Sequence, residues 1–277
     1  MTDPQQRRVA VLHPGAMGAA IANDLTSAGH DVGWCADNRS DDTATRAARL
    51  RRFETLLDLC VWADTIISVV PPHAAIATAR DAAGVGFRGI YVDANAISPA
   101  TAATVRATVE QSGANYVDGG IIGPPPAQGN TSRLYLAGDR AHHVADLFQG
   151  SAFQAPVLDA PGGYAASALK MVYAAWTKGS AAMLLATAQA AENLGVLEDL
   201  KSEWKHSAPQ VAERYERTSD AVAPKAWRYI AEMLEIASTL ESVGQPGGFH
   251  HAAARVYQHI ADQNPRKDGS TNAKANA

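Results

Sequence analysis

The sequence has only two cysteines among its 277 residues, Cys35 and Cys60. Both fall in segments that we interpret as buried elements of a larger fold. No cluster of cysteines and histidines has the spacing of metal ligands. We therefore expect both thiols to be reduced, and we expect no metal site.

Long runs of charge and of apolar residues are also absent. The formal net charge is -4, from 28 acidic and 24 basic residues that are spread along the chain, which argues against nucleic acid or an anionic membrane as a partner. No run of 18 apolar residues occurs, and residues 1–6 are polar, so the sequence predicts neither a membrane-spanning helix nor a signal peptide. We expect a soluble, cytoplasmic protein.

What is present in the first half is an alternation of short apolar segments with helical patterns. The segments 65–70 and 89–93 are almost continuously apolar, as strands are when both faces of a parallel sheet are covered. The pattern predicts a helix over 43–52 and further strands over 115–122, 133–137 and 154–158. It is typical of a doubly wound α/β domain with a parallel sheet.

A turn of small residues follows the first strand pattern. The apolar segment 9–12 leads into His13-Pro14-Gly15-Ala16-Met17-Gly18, and a helical pattern comes next. Such strand-turn-helix units bind the pyrophosphate of a dinucleotide against the backbone N–H groups of the helix N-terminus. Gly15 would let the phosphates approach, and Gly18 would let the helix pack on the strand. His13 replaces the first glycine of the usual pattern, so the tight turn must form in another way, and an ordinary strand-helix turn is the competing interpretation.

The turn after the second predicted strand bears on which dinucleotide binds. Asn38-Arg39-Ser40 offers hydrogen-bond donors and a fixed positive charge, which suit the 2′-phosphate of NADP. Asp37 would suit the ribose hydroxyls of NAD if the register shifted by one residue. We favour NADP (NADPH); the alternative is that Arg39 is a solvated loop charge.

Three more strand ends are predicted to lie at the same edge of the sheet. Val70 and Pro71 end a central strand near the expected nicotinamide ribose, although simple strand termination would explain them as well. Asn95 follows the next strand and could orient the ribose or a substrate oxygen, whereas Ser98 suits the cap of the following helix. The loop Ile122-Gly123-Pro124 has no titratable group and would shape a substrate pocket.

The composition changes at Pro161-Gly162-Gly163, after which helical segments follow and no strand is predicted. We interpret 1–161 as a Rossmann-type NADP-binding domain, 162–263 as an all-α domain for substrate and dimerisation, and 264–277 as a disordered tail. A helix over 164–193 would be about 45 Å long at 1.5 Å per residue. Because that exceeds the width of a small domain, we expect a second copy to share it in a homodimer.

Lys170 is the strongest candidate for a catalytic group. It stands in an almost wholly apolar helical segment, and burial disfavours an ammonium, so such a lysine can exchange a proton near neutral pH. The competing interpretation is a surface lysine whose stem lies along apolar neighbours. Lys178 is either a second basic group or an edge residue, and the pattern does not choose between His206, His250, His251 and His259.

In order and spacing, these segments resemble the β-hydroxyacid dehydrogenase and 6-phosphogluconate dehydrogenase superfamily over residues 9 to about 260. The resemblance rests on Gly15-Ala16-Met17-Gly18, Gly29-His30-Asp31-Val32, Asn38-Arg39-Ser40, Val70-Pro71-Pro72, Asp93-Ala94-Asn95, Asp118-Gly119-Gly120-Ile121-Ile122-Gly123 and Lys170-Met171 with Trp176-Thr177-Lys178-Gly179. More narrowly, the chain is similar to a branch whose helical C-terminal domain has no assigned function. The resemblance implies a Rossmann domain, an all-helical dimerising domain and a catalytic lysine at Lys170.

The chain departs from this family at three polar positions. Ile122 stands where the hydroxy-acid enzymes place a serine, Ala174 where they have an asparagine, and Ala231-Glu232 where they have a lysine-aspartate pair. These losses predict a more apolar or bulkier substrate, with Tyr173 and Trp176 lining the pocket.

Three functions stay open at this point. The first is an NADP-dependent oxidoreductase that moves a hydride between the nicotinamide and a C–OH or C=O carbon, with Lys170 as general acid and base and Asn95 assisting. The second is imine reduction, although imine reductases usually carry aspartate or tyrosine at this position and a cationic lysine would repel an iminium. The third is an NADP-binding protein without catalysis, which the lost polar groups would allow.

Overall fold

A computed structural model describes residues 6–125 and 132–264. The chain divides into two compact units, Met1–Tyr173 and Ala174–Ala277. This division lies 12 residues after the boundary predicted at residue 161, because the opening turns of the long helix pack with the first unit. The predicted tail lies outside the described residues except for Asn264.

Among the described residues, the first unit holds one eight-stranded sheet. Its strands are β1 (Arg8–Leu12), β2 (Asp31–Cys35), β3 (Arg51–Phe53), β4 (Thr65–Ser68), β5 (Ile90–Asp93), β6 (Asn115–Ile122), β7 (Ser132–Ala137) and β8 (Phe153–Gln154). Their spatial order is β3-β2-β1-β4-β5-β6-β7-β8. The α-helices of this unit are α1 (Ala16–Ser27), α2 (Asp41–Arg46), α3 (Leu56–Trp62), α4 (Ala75–Gly84), α5 (Pro99–Glu110) and α6 (Ala141–Ala145).

The predicted doubly wound sheet is confirmed for β1 to β6, which pair in parallel. Alternate residues of β1 belong to two different apolar clusters: Val9 and Val11 to one, Ala10 and Leu12 to the other. Because successive side chains of a strand point to opposite faces, both faces of the sheet are covered. This explains why the central strands are continuously apolar.

Two details of the prediction are wrong. Strand β7 runs antiparallel to β6, because the nine residues between Ile122 and Ser132 are fewer than the dozen or so that a parallel crossover needs. The helix predicted over 43–52 ends at Arg46, and Arg51–Phe53 forms the edge strand β3. Packing explains this change, since the ring of Phe53 lies 5.1 Å from that of Trp62 in α3.

The long helix α7 (Ala165–Asn193) begins in the first unit and continues in the second, and it starts within one residue of the prediction. The second unit also contains α8 (Leu197–Ser207), α9 (Pro209–Val222), α10 (Ala226–Ser242) and α11 (Gly248–Gln263). No strand occurs among the residues described here, so the predicted all-helical region is confirmed. In the two described ranges, no helix combines the length and the apolar character needed to cross a bilayer.

The two cysteines behave as predicted. Cys35 and Cys60 are both buried and free of any disulfide. Burial raises the pKa of the Cys60 thiol to about 12, so this sulfur stays protonated and packs as a small apolar group.

Candidate functional site

The residues predicted for the cofactor site follow the ends of parallel strands in the first unit. His13 follows β1, Asn38 and Arg39 follow β2, Val70 follows β4, and Asn95 follows β5. Since parallel strands end at one edge, these residues meet at the carboxyl edge of the sheet. In open α/β sheets, this edge is where ligands bind.

The tight turn after β1 is made by a histidine in a backbone conformation that usually belongs to glycine. His13 has φ 62°, in the left-handed region. Its carbonyl accepts a hydrogen bond from the Gly15 N–H at 2.7 Å. The missing first glycine is thus replaced by an uncommon backbone conformation of His13.

The two remaining glycines of this turn have different physical roles. A Cβ atom on Gly18 would lie 2.9 Å from the His13 carbonyl oxygen, so only glycine fits where α1 meets the turn. A Cβ atom on Gly15 would meet no atom closer than 4.0 Å, and Gly15 caps α1 without any side-chain hydrogen bond. The first N–H groups of α1 thus receive no side-chain cap, and a helix start of this kind fits a dinucleotide pyrophosphate.

The turn after β2 places the guanidinium of Arg39 next to the turn after β1. The Arg39 N–H donates to the Ala36 carbonyl at 3.2 Å, and Asn38 takes a left-handed φ of 56° between them. This geometry brings Nη2 of Arg39 to 3.4 Å from Nε2 of His13. Burial and the positive charge of Arg39 lower the pKa of His13 to about 4, so the imidazole is neutral at pH 7. The hydroxyl of Ser40 accepts from the Thr43 N–H and caps α2, while Asn38 and Arg39 are exposed.

The side chain of Asn95 links the end of β5 to the end of β4. Its Oδ1 accepts from the Val70 N–H at 2.6 Å, and its Nδ2 donates to the Ser68 hydroxyl at 3.3 Å. The residue is only 2% exposed. The contact with ribose or substrate stays a prediction, whereas the support of the Val70-Pro71 backbone is visible. Ser98 caps α5, as the sequence suggested.

A buried carboxylate that we did not single out as a site residue anchors the start of α7. Asp118 of β6 accepts hydrogen bonds from the Ser167 N–H at 2.9 Å and from the Ser167 hydroxyl at 2.5 Å. Burial raises the pKa of Asp118 to about 6, although its hydrogen bonds oppose the rise. The only signal in the sequence was an aspartate before two glycines in an apolar strand.

Lys170 lies one helical turn after this anchor. A Cβ atom on Gly120 of β6 would lie 2.5 Å from the Ala166 carbonyl oxygen and 3.2 Å from Cβ of Lys170. The absence of a side chain at Gly120 therefore lets α7 approach the strand closely. Lys170 itself is partly exposed. Its stem thus starts beside β6, within the unit that carries the glycine turn.

The residues predicted to line a substrate pocket are more scattered. Ile122 is buried in the sheet, while Gly123 and Pro124 are exposed, and residues 126–131 lie outside the described ranges. Tyr173 is 47% exposed at the end of the first unit. Trp176 belongs to the second unit and is 73% exposed. The pocket assignments of all five residues stay predictions.

In the second unit, Lys178 takes part in a mostly buried ion pair. Its Nζ donates to the Glu232 carboxylate and lies 4.4 Å from the centre of the Tyr229 ring. The side chains of Lys178 and Glu232 are 23% and 6% exposed. The sequence left Lys178 as a second basic group or an edge residue, and it is a charge that joins α7 to α10.

Comparison with known proteins agrees with this geometry. Residues 8–149 match the NAD binding domain of 6-phosphogluconate dehydrogenase, and residues 191–260 match a domain of unknown function, DUF1932. An uncharacterized 28.5 kDa protein of Methanothermus fervidus is 30% identical over 174 residues, which are 61% of this chain. That match spans 65% of the relative, slightly less than two thirds of its length.

Two solved structures extend the likeness over almost the whole chain. One is a conserved protein of unknown function, described as structurally similar to 3-hydroxyacid dehydrogenases; it is 28% identical, covers 92% of this chain and 97% of its own, and has a TM-score of 0.68. The other is the Mycobacterium tuberculosis 3-hydroxyisobutyrate dehydrogenase with L-serine, at 18% identity, 94% and 95% coverage and a TM-score of 0.69, a likeness of fold. The chain belongs to the family of the 6-phosphogluconate dehydrogenase NAD-binding domain, within the hydroxyacid dehydrogenase superfamily.

Proposed function

We propose that this chain is an NADP-dependent oxidoreductase acting on a C–OH or C=O carbon, with Lys170 as its general acid and base. The observation that carries the proposal is the anchoring of Lys170. The hydrogen bonds from Ser167 to Asp118 and the close approach of α7 to Gly120 hold the lysine stem beside β6. A proton-transferring group needs such a fixed position relative to the substrate oxygen.

The residues at the sheet edge fit the cofactor that this function requires. The backbone of Gly15 and Ala16 at the start of α1 would hold the pyrophosphate, and Asn38 and Arg39 would bind the 2′-phosphate. The buried hydrogen bond of Asn95 to the Val70 backbone would fix the wall beside the nicotinamide ribose. When bound, the nicotinamide supplies or accepts the hydride at the substrate carbon.

Lys170 then handles the proton. In the direction of reduction, its ammonium donates a proton to the carbonyl oxygen as the alcohol forms. In the direction of oxidation, its neutral amine accepts the proton of the hydroxyl group. The apolar residues Ile122 and Ala174, where the family has polar groups, favour a substrate with an apolar or bulky substituent.

The test is a comparison of Lys170→Met and Lys170→Arg with wild type. We expect both variants to retain NADPH binding, measured by fluorescence titration, and to lose about a hundredfold or more in kcat. Arginine keeps the charge but does not release its proton near neutral pH, so it should not rescue turnover. Lys201→Met on α8 is a control that should leave kcat unchanged. Undiminished turnover in Lys170→Met would exclude the proposed role.

The substrate panel decides between this function and its alternatives. It should contain aldehydes and β-keto acids of increasing apolar bulk, together with a cyclic imine, each with NADPH. Turnover of the imine alone would favour C=N reduction. Tight NADPH binding without turnover of any compound would favour a binding protein without catalysis.

We also propose that the second unit forms a homodimer through α7 and α11. Trp176 and Met183 lie seven residues apart on one face of α7, and both are largely exposed. With Phe249 of α11, they line an apolar groove of about 450 Å³. A second copy would cover this groove and the 29-residue helix. Light scattering should give twice the chain mass for wild type and a monomer for Met183→Asp with Phe249→Asp; a monomeric wild type would contradict the proposal.

A further inference from the structure

His13 has a second property beyond the turn that it makes. Its Nε2 atom faces Arg39 at 3.4 Å, while its Nδ1 atom is buried and has no hydrogen-bond partner among the residues that the structure describes. A buried polar atom without a partner costs stability. Of the two ring nitrogens, Nε2 therefore faces Arg39 and Nδ1 has no hydrogen-bond partner in the described structure.

The partner of Nε2 fixes which nitrogen carries the proton. A guanidinium group only donates hydrogen bonds, so Nε2 must be the acceptor in its contact with Arg39. The neutral ring then carries its proton on Nδ1. An anion that drew the Arg39 donors to itself would release Nε2, which could then bind a proton and donate to the same anion.

We propose that His13 and Arg39 together bind the 2′-phosphate of NADP(H), and that His13 takes up one proton from solvent when the phosphate binds. This inference rests on the NADP preference of the proposed function and assigns a second residue to it. His13 would then discriminate between NADP and NAD. It lies in the turn after β1, whereas the residue with this role usually follows β2.

The charges around the ring support this direction of change. Arg39 is the charged group that faces His13, and its positive charge keeps the imidazole neutral when no anion is present. Burial lowers the pKa of Arg39, and the negative charge of Asp37 opposes this effect. A phosphate dianion between the two side chains would replace the contact between them by two charge-assisted hydrogen bonds, one from each side chain.

The experiment measures NADP⁺ and NAD⁺ binding by isothermal titration calorimetry from pH 6.5 to 8. His13→Asn is the informative variant, because asparagine tolerates a left-handed backbone but does not titrate. As the pH rises over this range, wild type should lose about five- to tenfold more NADP⁺ affinity than His13→Asn. The difference between the two proteins cancels the titration of the phosphate itself. The same titrations in two buffers of different ionisation enthalpy should show more proton uptake for wild type.

Controls separate this proposal from the one on which it rests. NAD⁺ affinity should be the same in wild type and His13→Asn, and His143→Asn, an exposed site on α6, should match wild type throughout. His13→Gly, which suits the same φ, serves if the asparagine variant does not fold. Equal pH dependence and equal NADP⁺ affinity in wild type and the His13 variants would overturn the role of His13. A wild type that prefers NAD⁺ would instead reject the proposed cofactor.

Discussion

The two units of this chain place their buried polar groups differently. In the first unit, several buried polar side chains, among them Ser68, Asp93 and Asn95, lie at or just after the ends of parallel strands. In the second unit, Glu232 and His250 are buried within helices, and their partners lie on α7. The positions of the first group at the strand ends follow from sheet topology, whereas the second group is placed by contacts between residues 54 and 75 positions apart.

The two units also differ in the known domains that they match. The first unit carries the match to a domain of known cofactor class, and the second carries the match to a domain of unknown function. A strand edge is a general dinucleotide site. The match of the first unit therefore concerns the cofactor and not the substrate.

The largest effect is expected from breaking the ion pair between Lys178 and Glu232 in the second unit. Lys178→Met removes the cation beside the buried Glu232 carboxylate and should lower the free energy of unfolding by about 4 kcal/mol. Chemical denaturation followed by circular dichroism measures this change. The double variant with Glu232→Gln should regain most of the loss. An unchanged denaturation midpoint in Lys178→Met would mean that the pair is not coupled to folding.

The next effect belongs to the first unit and depends on pH. Burial raises the pKa of Asp118 to about 6 from its ordinary value of 3.8, so folding favours the protonated form. Its contribution to stability is complete below pH 3.8 and is lost as the pH rises through about 6. Asp118→Asn should remove a change of about 3 kcal/mol from the stability profile over this range. Parallel profiles of variant and wild type would contradict this expectation.

The smallest effect concerns affinity at the sheet edge. Arg39→Ala should weaken NADP⁺ binding about tenfold, because a charge-assisted hydrogen bond to the phosphate is lost, and should leave NAD⁺ binding unchanged. Calorimetric titration measures both constants. Arg46→Ala, at the exposed end of α2, is the matched control. Equal loss of affinity for the two dinucleotides would show that Arg39 does not contact the 2′-phosphate.

Much of the fold was predictable because helices and strands produce regular spacings of apolar residues in the sequence. The bounds of β6 agree with the predicted ones residue by residue. The direction of β7 depends on loop length and pairing, and β3 depends on packing against Trp62. Apolar periodicity alone therefore predicts neither the direction of β7 nor the presence of β3.

The candidate site was predictable to a smaller extent. The strand ends located the polar residues, but their contacts are made across the fold. The Asp118 anchor joins residues 49 positions apart, and the contact between His13 and Arg39 joins two separate turns. Asn95 illustrates the limit, since its position was predictable and its hydrogen bonds to two other strand-end residues were not.

The left-handed conformation of His13 also bears on how such turns are recognised. The geometry of the turn demands a positive φ at this point and leaves no room for a methyl group at Gly18. The second demand admits glycine alone, while the first also admits asparagine, aspartate and histidine. A search pattern that insists on three glycines will therefore overlook turns of the same shape, and one written in backbone torsions will find them.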